Sequence, residues 1–308
     1  MEFKIALSTV LTTLLFIAPG YLLSKTKKAL GDHLSTLSAI LVYVLGPCMQ
    51  VSSFVKLDFS LEDFKYMGLY FVVSFILQAS FLGLLYLIFR KKFSDSRFRI
   101  MNIAMVLGNV GFFGLPMVKA LLPDNPEVMC YSSIQVITMN ILVFTMGVYC
   151  LTQDKKYMTI KAAFINPAMF AFLIAVPLYV IGAKNYIPSL VLDAVDLLGR
   201  MTTPVCMLIA GIRLGTVPFK KLWTNPVVYA SCFGKMIVFP LFCYALVYFL
   251  PLPHSFKASI LILAATPCAS IILNLAEIHH SEMDLSANCI LVSTLLSFIT
   301  LPIISLLL

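Results

Sequence analysis

The chain carries several uncharged apolar runs that are each long enough to cross a lipid bilayer. Such runs cover residues 5–24, 66–89, 128–151 and 285–308, and a stretch of about 18 apolar residues is enough for a transmembrane helix. Charged residues form only 12% of the 308 residues, about half their share in soluble domains. These features predict an all-α polytopic membrane protein. They leave no room for a soluble catalytic domain, which disfavours an enzyme.

Read in order, the apolar segments predict ten transmembrane helices. Their predicted limits are residues 5–24, 34–54, 65–89, 100–122, 128–151, 162–183, 187–212, 226–250, 257–278 and 284–308.

Basic residues are unevenly distributed among the predicted loops. The odd-numbered loops hold fourteen Lys and Arg residues, including Arg213, Lys220 and Lys221 in the seventh loop, whereas the opposite side holds six. The positive-inside rule then predicts that the odd loops are cytoplasmic and that both termini lie outside. Because the charges are dispersed among loops, they favour a membrane topology signal over a nucleic-acid-binding patch. The expected surroundings are the lipid bilayer.

The fourth predicted helix contains a segment that cannot continue a regular helix. Residues 108–116 read Gly-Asn-Val-Gly-Phe-Phe-Gly-Leu-Pro. Glycine raises the entropy cost of helix formation, and proline lacks the N–H and clashes with the preceding turn. A break at membrane depth is tolerated only where it is buried in protein or lines a cavity. We therefore expect a cavity at this break.

The two halves of the chain carry matching features at a nearly constant offset. Pro47 matches Pro204, and Lys56-Leu57 matches Arg213-Leu214, each at an offset of 157 residues. Pro116 in the fourth helix matches Pro267 in the ninth. Five helices in each half turn the second half upside down, as in the inverted repeats of many transporters.

This pattern predicts repeats over residues 1–151 and 152–308, with broken helices 4 and 9 crossing at the midplane of the bilayer. The simpler alternative is that the prolines only kink packed helices.

The two breaks also predict a binding site for an organic anion. Pro116 and Pro267 suit the first turn of a half-helix, so two helix amino ends with free N–H groups would point into the cavity, and such ends bind carboxylates. The predicted substrate-binding residues lie at these breaks or near them. They are Asn109, Gly111, Gly114, Pro116, Gln135, Asn140, Pro267, Cys268, Ser270 and Asn274. For Gln135 and Asn140, hydrogen bonding between helices is an equally good explanation.

Three further polar residues are candidates for coupling or charge compensation. Lys235 lies near the middle of the eighth helix, and its counterpart at the 157-residue offset is Gln78. A charge at this depth usually faces a partner or a water-filled pathway, so Lys235 could replace a coupling ion, help bind substrate or form a structural pair. Glu277 could be a proton or sodium site, or a solvated residue near a loop. We predict neither a metal centre nor a cofactor, and sodium or proton coupling stays open.

Several segments resemble the auxin efflux carrier family. They are residues 108–116, residues 201–214 (from Met-Thr-Thr-Pro to Gly-Ile-Arg-Leu) and residues 266–277 (from Thr-Pro-Cys-Ala-Ser to Leu-Ala-Glu). The resemblance covers the whole chain. The family includes the plant PIN-formed auxin transporters and bacterial malate or malonate permeases, and it is similar in fold to bile acid:sodium symporters. The plant Asn-Pro-Asn pattern is missing from the fourth helix, so the chain is more similar to the bacterial branch.

The resemblance implies a division of labour among the ten helices. Helices 1, 2, 6 and 7 would form a scaffold that often makes a homodimer, and helices 3–5 and 8–10 would form a transport domain that slides like an elevator. It implies a secondary transporter of small organic anions, auxin-like or malate-like mono- or dicarboxylates, in the inner (plasma) membrane of a bacterium. Two alternatives remain: a sodium-coupled symporter of bulkier amphipathic anions of the bile acid type, and a membrane ligand sensor that does not transport.

Overall fold

The computed structural model describes residues 2–217, 222 and 224–308, and the regular structure in these residues is helical throughout. This confirms the all-α class. Lys220 and Lys221, which contribute to the predicted charge asymmetry, lie outside the described residues. Eight described helices are long and apolar enough to cross a membrane. They are α1 (Glu2–Lys25), α2 (His33–Val55), α3 (Leu61–Lys92), α5 (Val128–Thr152), α6 (Lys155–Val180), α7 (Ser189–Thr216), α8 (Pro226–Tyr248) and α10 (Met283–Leu307).

Two pairs of shorter helices occupy the places of the predicted spans 4 and 9. The first pair is α4a (Ser96–Ala104) and α4b (Val110–Leu121), and the second is α9a (His254–Ala264) and α9b (Ile271–Ile278). Both predicted interruptions are therefore present. The arrangement of ten helices as two inverted repeats stays a prediction.

Several predicted helix limits are wrong by three residues or more, among them those of α3 and α7. Helix α3 starts at Leu61 rather than at residue 65, because the hydroxyl of Ser60 accepts a hydrogen bond from the Asp63 amide and caps the helix. The acidic residues Glu62 and Asp63 favour the first turn electrostatically. Helix α7 continues to Thr216 rather than ending at residue 212, so Arg213 belongs to a helix and not to a loop.

Close packing of α1 against α7 depends on small residues. A Cβ atom on Gly20 would lie 2.3 Å from the carbonyl oxygen of Leu208, and one on Gly211 would lie 2.2 Å from that of Ile17. Side chains larger than hydrogen cannot fit at either position. The two backbones therefore touch directly, as at the small-residue interfaces of other membrane helices.

Helix α2 is joined to both α6 and α7. The ring of Phe54 packs edge-on against Phe172 of α6 with the centroids 5.7 Å apart. Asp196 of α7 forms ion pairs with Lys56, at the end of α2, and with Arg200 one turn further along α7. The helices α1, α2, α6 and α7 thus form one connected group.

Candidate substrate-binding site

The two helix interruptions meet and satisfy each other's backbone groups. The amide of Asn109 donates a hydrogen bond to the carbonyl of Pro267 at 2.7 Å, and the amide of Ala269 donates to the carbonyl of Leu107 at 3.0 Å. Gly108 and Cys268 face each other between these bonds as a single antiparallel bridge. Broken helices leave polar backbone groups that the hydrocarbon of a bilayer cannot solvate. Here each break supplies partners for the other.

The start of α4b shows how the chain passes from the crossing into a helix. A π-helical turn covers Val110–Gly114, and the α-helical turns begin at Leu115, which places Pro116 in the first of them. Because Pro116 has no N–H, it cannot donate to the carbonyl of Phe112, and the hydroxyl of Thr203 donates to that carbonyl instead at 2.6 Å. Pro267 differs from the prediction, because it lies in the non-helical crossing segment four residues before α9b begins at Ile271. Its carbonyl accepts the bond from Asn109, so it serves the crossing itself.

Lys235 lies directly behind the crossing. It belongs to a π-helical turn of α8, Gly234–Val238, and its side chain is fully buried. The ammonium donates a hydrogen bond to the carbonyl of Ala264, the last residue of α9a, and lies 4.8 Å from the ring centroid of Phe239. A helix carboxyl end carries partial negative charge, and an aromatic face attracts cations. Lys235 forms no ion pair within the part of the chain that the structure describes.

Gly108 makes room for this ammonium. A Cβ atom on Gly108 would lie 2.5 Å from the Thr266 hydroxyl oxygen and 2.8 Å from Nζ of Lys235. Both distances are shorter than real Cβ contacts. A larger side chain at position 108 would clash with the buried Lys235 ammonium, so glycine is needed for this close approach to the backbone.

Helices α5 and α10 hold the crossing from two further directions. The hydroxyl of Ser132 in α5 donates to the carbonyl of Val110 at 2.7 Å. In α10, the hydroxyl oxygen of Ser293 accepts a hydrogen bond from the amide of Cys268 at 2.9 Å. The crossing is thus anchored by α5, α8 and α10.

Two cavities flank the crossing along α7. The wide cavity, of about 430 Å³, is lined by residues of α1, α4b and the middle of α7, among them Pro116, Lys119, Arg200 and Thr203. The narrow cavity, of about 30 Å³, lies further along α7. Its polar lining comprises Asn109, Cys206, Arg213, Ser270 and Thr294. Among the described residues that line either cavity, none is acidic.

The cavities contain only some of the predicted site residues. Asn109 and Ser270 line the narrow cavity, and Pro116 lines the wide one. Cys268 is buried in the crossing. Asn274 and Glu277 are exposed on α9b and line neither cavity. Their predicted roles, like those of the other candidates, stay predictions.

Five other candidates lie in packed regions. A Cβ atom on Gly111 would contact Val136 at 3.1 Å, and one on Gly114 would lie 2.6 Å from Leu263, so these glycines permit close helix packing. Gln135 accepts a hydrogen bond from the hydroxyl of Tyr70 at 2.7 Å, and Gln78 donates one to Thr138 at 2.8 Å. These bonds join α3 to α5. Asn140 is buried in α5 outside the two cavities.

Sequence reasoning missed the charged residues of the cavities. Lys119 and Arg200 line the wide cavity, and Arg213 lines the narrow cavity. The sequence pattern instead assigns Arg213 to a cytoplasmic loop. Its match with Lys56 at the 157-residue offset was the available signal. Because α7 continues past residue 212, the side chain belongs to the membrane helix that borders the narrow cavity.

A third cavity, of about 690 Å³, lies away from the crossing at the far ends of α4a and α9b. It is lined by ten residues, including Arg99, Tyr157, His279 and Glu282. The rings of Tyr157 and His279 pack edge-on with their centroids 5.2 Å apart. Burial, and to a lesser degree the neighbouring charge of His280, lowers the pKa of His279.

Membrane helices that are broken where they cross, with a cavity at the break, are typical of transporters. A family profile described as "Membrane transport protein" matches residues 5–164 and 152–305, so the chain belongs to that family. The resemblance to auxin efflux carriers is thereby confirmed.

Two curated relatives extend along nearly the whole chain. One, from Methanocaldococcus jannaschii, is 23% identical over 97% of each chain, and one from Methanothermobacter thermautotrophicus is 24% identical over 98% of each chain. Both are described as uncharacterized transporters. The chain is therefore an integral membrane protein of a transporter family.

Proposed function

We propose that this chain is a secondary transporter of small organic anions, mono- or dicarboxylates, that works by alternating access. The charge of the two cavities carries the proposal. Lys119 and Arg200 line the wide cavity and Arg213 lines the narrow one, and no acidic residue among those described lines either. Arg200 is paired with Asp196, which also pairs with Lys56, so this cluster keeps one net positive charge beside the wide cavity. Clefts with one sign of charge concentrate ions of the opposite sign. An anion approaching the crossing from either direction therefore meets a favourable potential.

The unequal sizes of the cavities support alternating access. A volume of about 430 Å³ accommodates a small carboxylate, whereas about 30 Å³ accommodates one or two water molecules. A carrier must open its site to one side while closing the other. The wide cavity corresponds to the open pathway and the narrow cavity to the closed one.

Packing supports an elevator-type movement of two bodies. The first body is the group of α1, α2, α6 and α7. The second contains the crossing and the helices α5, α8 and α10 that anchor it. Side-chain hydrogen bonds from α7 to the crossing are few: Thr203 donates to the carbonyl of Phe112 at 2.6 Å, and the Asn109 amide donates to the Cys206 sulfur at 3.8 Å. Sliding of one body along the other would therefore break few hydrogen bonds of α7, while the apolar contacts of α1 with α4b and α10 would have to slide.

The proposal also includes the surroundings of the carrier. We place it in the plasma membrane with both termini outside, as a homodimer that associates through α1, α2, α6 and α7. Cross-linking of single cysteines on the lipid-facing side of α2 tests the dimer. Accessibility of cysteines in the odd loops tests the orientation.

Lys235 supports transport that does not depend on sodium. Its ammonium fills the space behind the crossing and interacts with the carboxyl end of α9a, which is the kind of position that favours a cation. A fixed cation there removes the need for a soluble one. Sodium-coupled symport of bulkier anions is the competing function, and it predicts uptake that requires external sodium.

Counterflow in proteoliposomes tests the function. Purified protein would be reconstituted with an internal carboxylate, and uptake of radiolabelled malate, malonate and an aliphatic monocarboxylate would be measured with sodium or choline outside. We expect saturable uptake of at least one anion, equal in both salts and absent from protein-free liposomes. Movement of neutral or cationic solutes alone would overturn the proposal. Binding without counterflow would instead favour a ligand sensor.

A further inference from the structure

Arg213 is an unpaired cation inside a membrane helix. Within the described part of the chain, its guanidinium makes neither an ion pair within 4 Å nor a side-chain hydrogen bond, and it is the charged side chain of the narrow cavity. Ionisable groups within transmembrane segments are expensive and usually pair with another group or mark a substrate pathway. Arg213 lies in the last turn of α7. The charge of Glu277 in α9b acts on it, but the two form no ion pair, so the guanidinium remains available to a bound anion.

The matching position in the first half of the chain has such a partner. Lys56 corresponds to Arg213 at the 157-residue offset, and Lys56 forms an ion pair with Asp196 of α7. At the same 157-residue offset, Asp196 corresponds to Ala39 in α2. The cation of the first half, Lys56, is thus neutralised by a carboxylate from the second half, whereas the cation of the second half, Arg213, meets only the methyl group of Ala39 at the equivalent position of the first half.

Helices α2 and α7 contact each other as the 157-residue correspondence between the two halves requires. The hydroxyl of Thr202 in α7 donates a hydrogen bond to the carbonyl of Leu45 in α2 at 3.2 Å, and these two positions are themselves related by the 157-residue offset. Residues 33–40 of α2 also pack against residues 202–216 of α7. The contact between α2 and α7 is therefore made by equivalent parts of the two halves, and the missing carboxylate at residue 39 leaves Arg213 unpaired.

The remaining lining of the narrow cavity is largely apolar. Between Asn109 at the crossing and Arg213 further along α7, the walls include Met207, Leu273 and Ile290. The Arg213 guanidinium can neutralise one carboxylate of a bound substrate, because its planar, forked set of N–H groups matches a carboxylate. A second carboxylate would have to lie among apolar side chains without a partner, which is costly.

We propose that Arg213 binds the carboxylate of the transported anion and that the substrate is a monocarboxylate with an apolar body. This inference rests on the proposed function and narrows its substrate class. The narrow cavity must widen when the substrate enters.

Calorimetric titration of the purified full-length protein tests the inference with three six-carbon probes. Hexanoate carries one carboxylate, adipate carries one at each end, and hexanamide is neutral. We expect hexanoate to bind at least about tenfold more tightly than adipate or hexanamide, because only hexanoate satisfies both the charge and the apolar wall. Equal or tighter binding of adipate would overturn the substrate class without requiring any variant.

Variants of Arg213 test the residue. Arg213→Gln should weaken hexanoate binding at least about tenfold, and Arg213→Lys should retain it within about threefold. The control Arg97→Gln, at an exposed position in the first turn of α4a, should leave it unchanged. Ala39→Asp places a carboxylate at the position equivalent to Asp196, the partner of Lys56, and it should also weaken binding. Unchanged hexanoate affinity in Arg213→Gln would refute the assignment.

The same preparations separate this inference from the proposed function. If the wild-type protein moves organic anions in proteoliposomes and Arg213→Gln moves them equally well, only the role of Arg213 is lost. If the wild-type protein moves no organic anion, the proposed function itself fails.

Discussion

The amide of Asn109 donates a hydrogen bond to the carbonyl of Pro267 at 2.7 Å, and this bond joins two helix interruptions from opposite halves of the chain. It explains how the interruptions persist inside an apolar bundle, since each uses the backbone groups of the other. It also brings the cation of Lys235, the amide side chain of Asn109 and the two flanking cavities to one place. The predictions below concern the residues that maintain this arrangement.

Substituting Gly108 with alanine should damage the crossing. The new methyl group would lie 2.5 Å from the Thr266 hydroxyl oxygen and 2.8 Å from the Lys235 ammonium, and overpacking of this kind costs about 1–3 kcal/mol. We expect a lower melting temperature in detergent and reduced uptake. Gly83→Ala in α3 is the matched control, because no atom lies within 4 Å of its added Cβ. Equal behaviour of the two variants would show that the crossing tolerates a shift.

Removing the hydroxyl of Ser293 should destabilise the crossing from α10. Ser293→Ala leaves the buried amide of Cys268 without its acceptor, and an unsatisfied buried donor costs about 1–3 kcal/mol. Thermal unfolding of the purified protein measures this loss. Ser297→Ala serves as the control, because that hydroxyl donates only to Thr294 of its own helix. A loss in Ser297→Ala as large as that in Ser293→Ala would contradict the assigned role.

Lys235→Met should reduce transport while leaving the protein folded. Methionine fills a similar volume, and replacing a buried charged group with an apolar one is often neutral for stability. The carboxyl end of α9a would nevertheless lose its cation. We expect a folded protein whose uptake falls at least about tenfold, as expected when a buried charged contact is lost.

The control for Lys235 is Lys257→Met, which removes a lysine that donates to the carbonyl of Tyr248 near the surface. Its uptake should remain close to that of the wild type. Recovery of uptake in Lys235→Met on adding sodium would identify the ammonium as a substitute for that ion. Unchanged uptake in either salt would remove Lys235 from the mechanism.

His279 should make the protein less stable in acid. Burial and the charge of His280 lower the pKa of His279 in the folded state, so the folded state binds a proton less readily than the unfolded state. Its contribution is present above about pH 6.5, the unfolded value, and is lost as the pH falls through the folded value. Arg99 and Glu282 line the same cavity and contribute a charge of each sign.

Melting temperatures measured between pH 7.5 and pH 5 check this expectation. His279→Gln should flatten the acid side of the profile, whereas His254→Gln, outside this cavity, should leave its slope unchanged. A slope that is the same in the wild type and in His279→Gln would assign the acid sensitivity to other groups.

Composition and residue spacing alone predict the membrane class, the helical secondary structure and the positions of both interruptions. Long apolar runs allow no other backbone arrangement in a bilayer. The glycine- and proline-rich segment 108–116 marks the first break, although the break ends at Asn109 and α4b runs through Gly111, Gly114 and Pro116. The sequence also singled out Lys235, since a charge at that depth needs an explanation. These are local properties of composition and spacing, and they need no knowledge of the neighbouring helices.

The side chains that share a cavity could be identified only from the packing of the helices. Gln135 and Gln78 fitted the pattern of site residues, yet they hydrogen-bond to Tyr70 and Thr138 between α3 and α5. Arg213 resembled a loop charge, yet it lines the narrow cavity with Asn109 and Ser270. The physical reason is that the direction of a side chain depends on the rotation and packing of its helix, which are fixed by contacts between segments far apart in the chain.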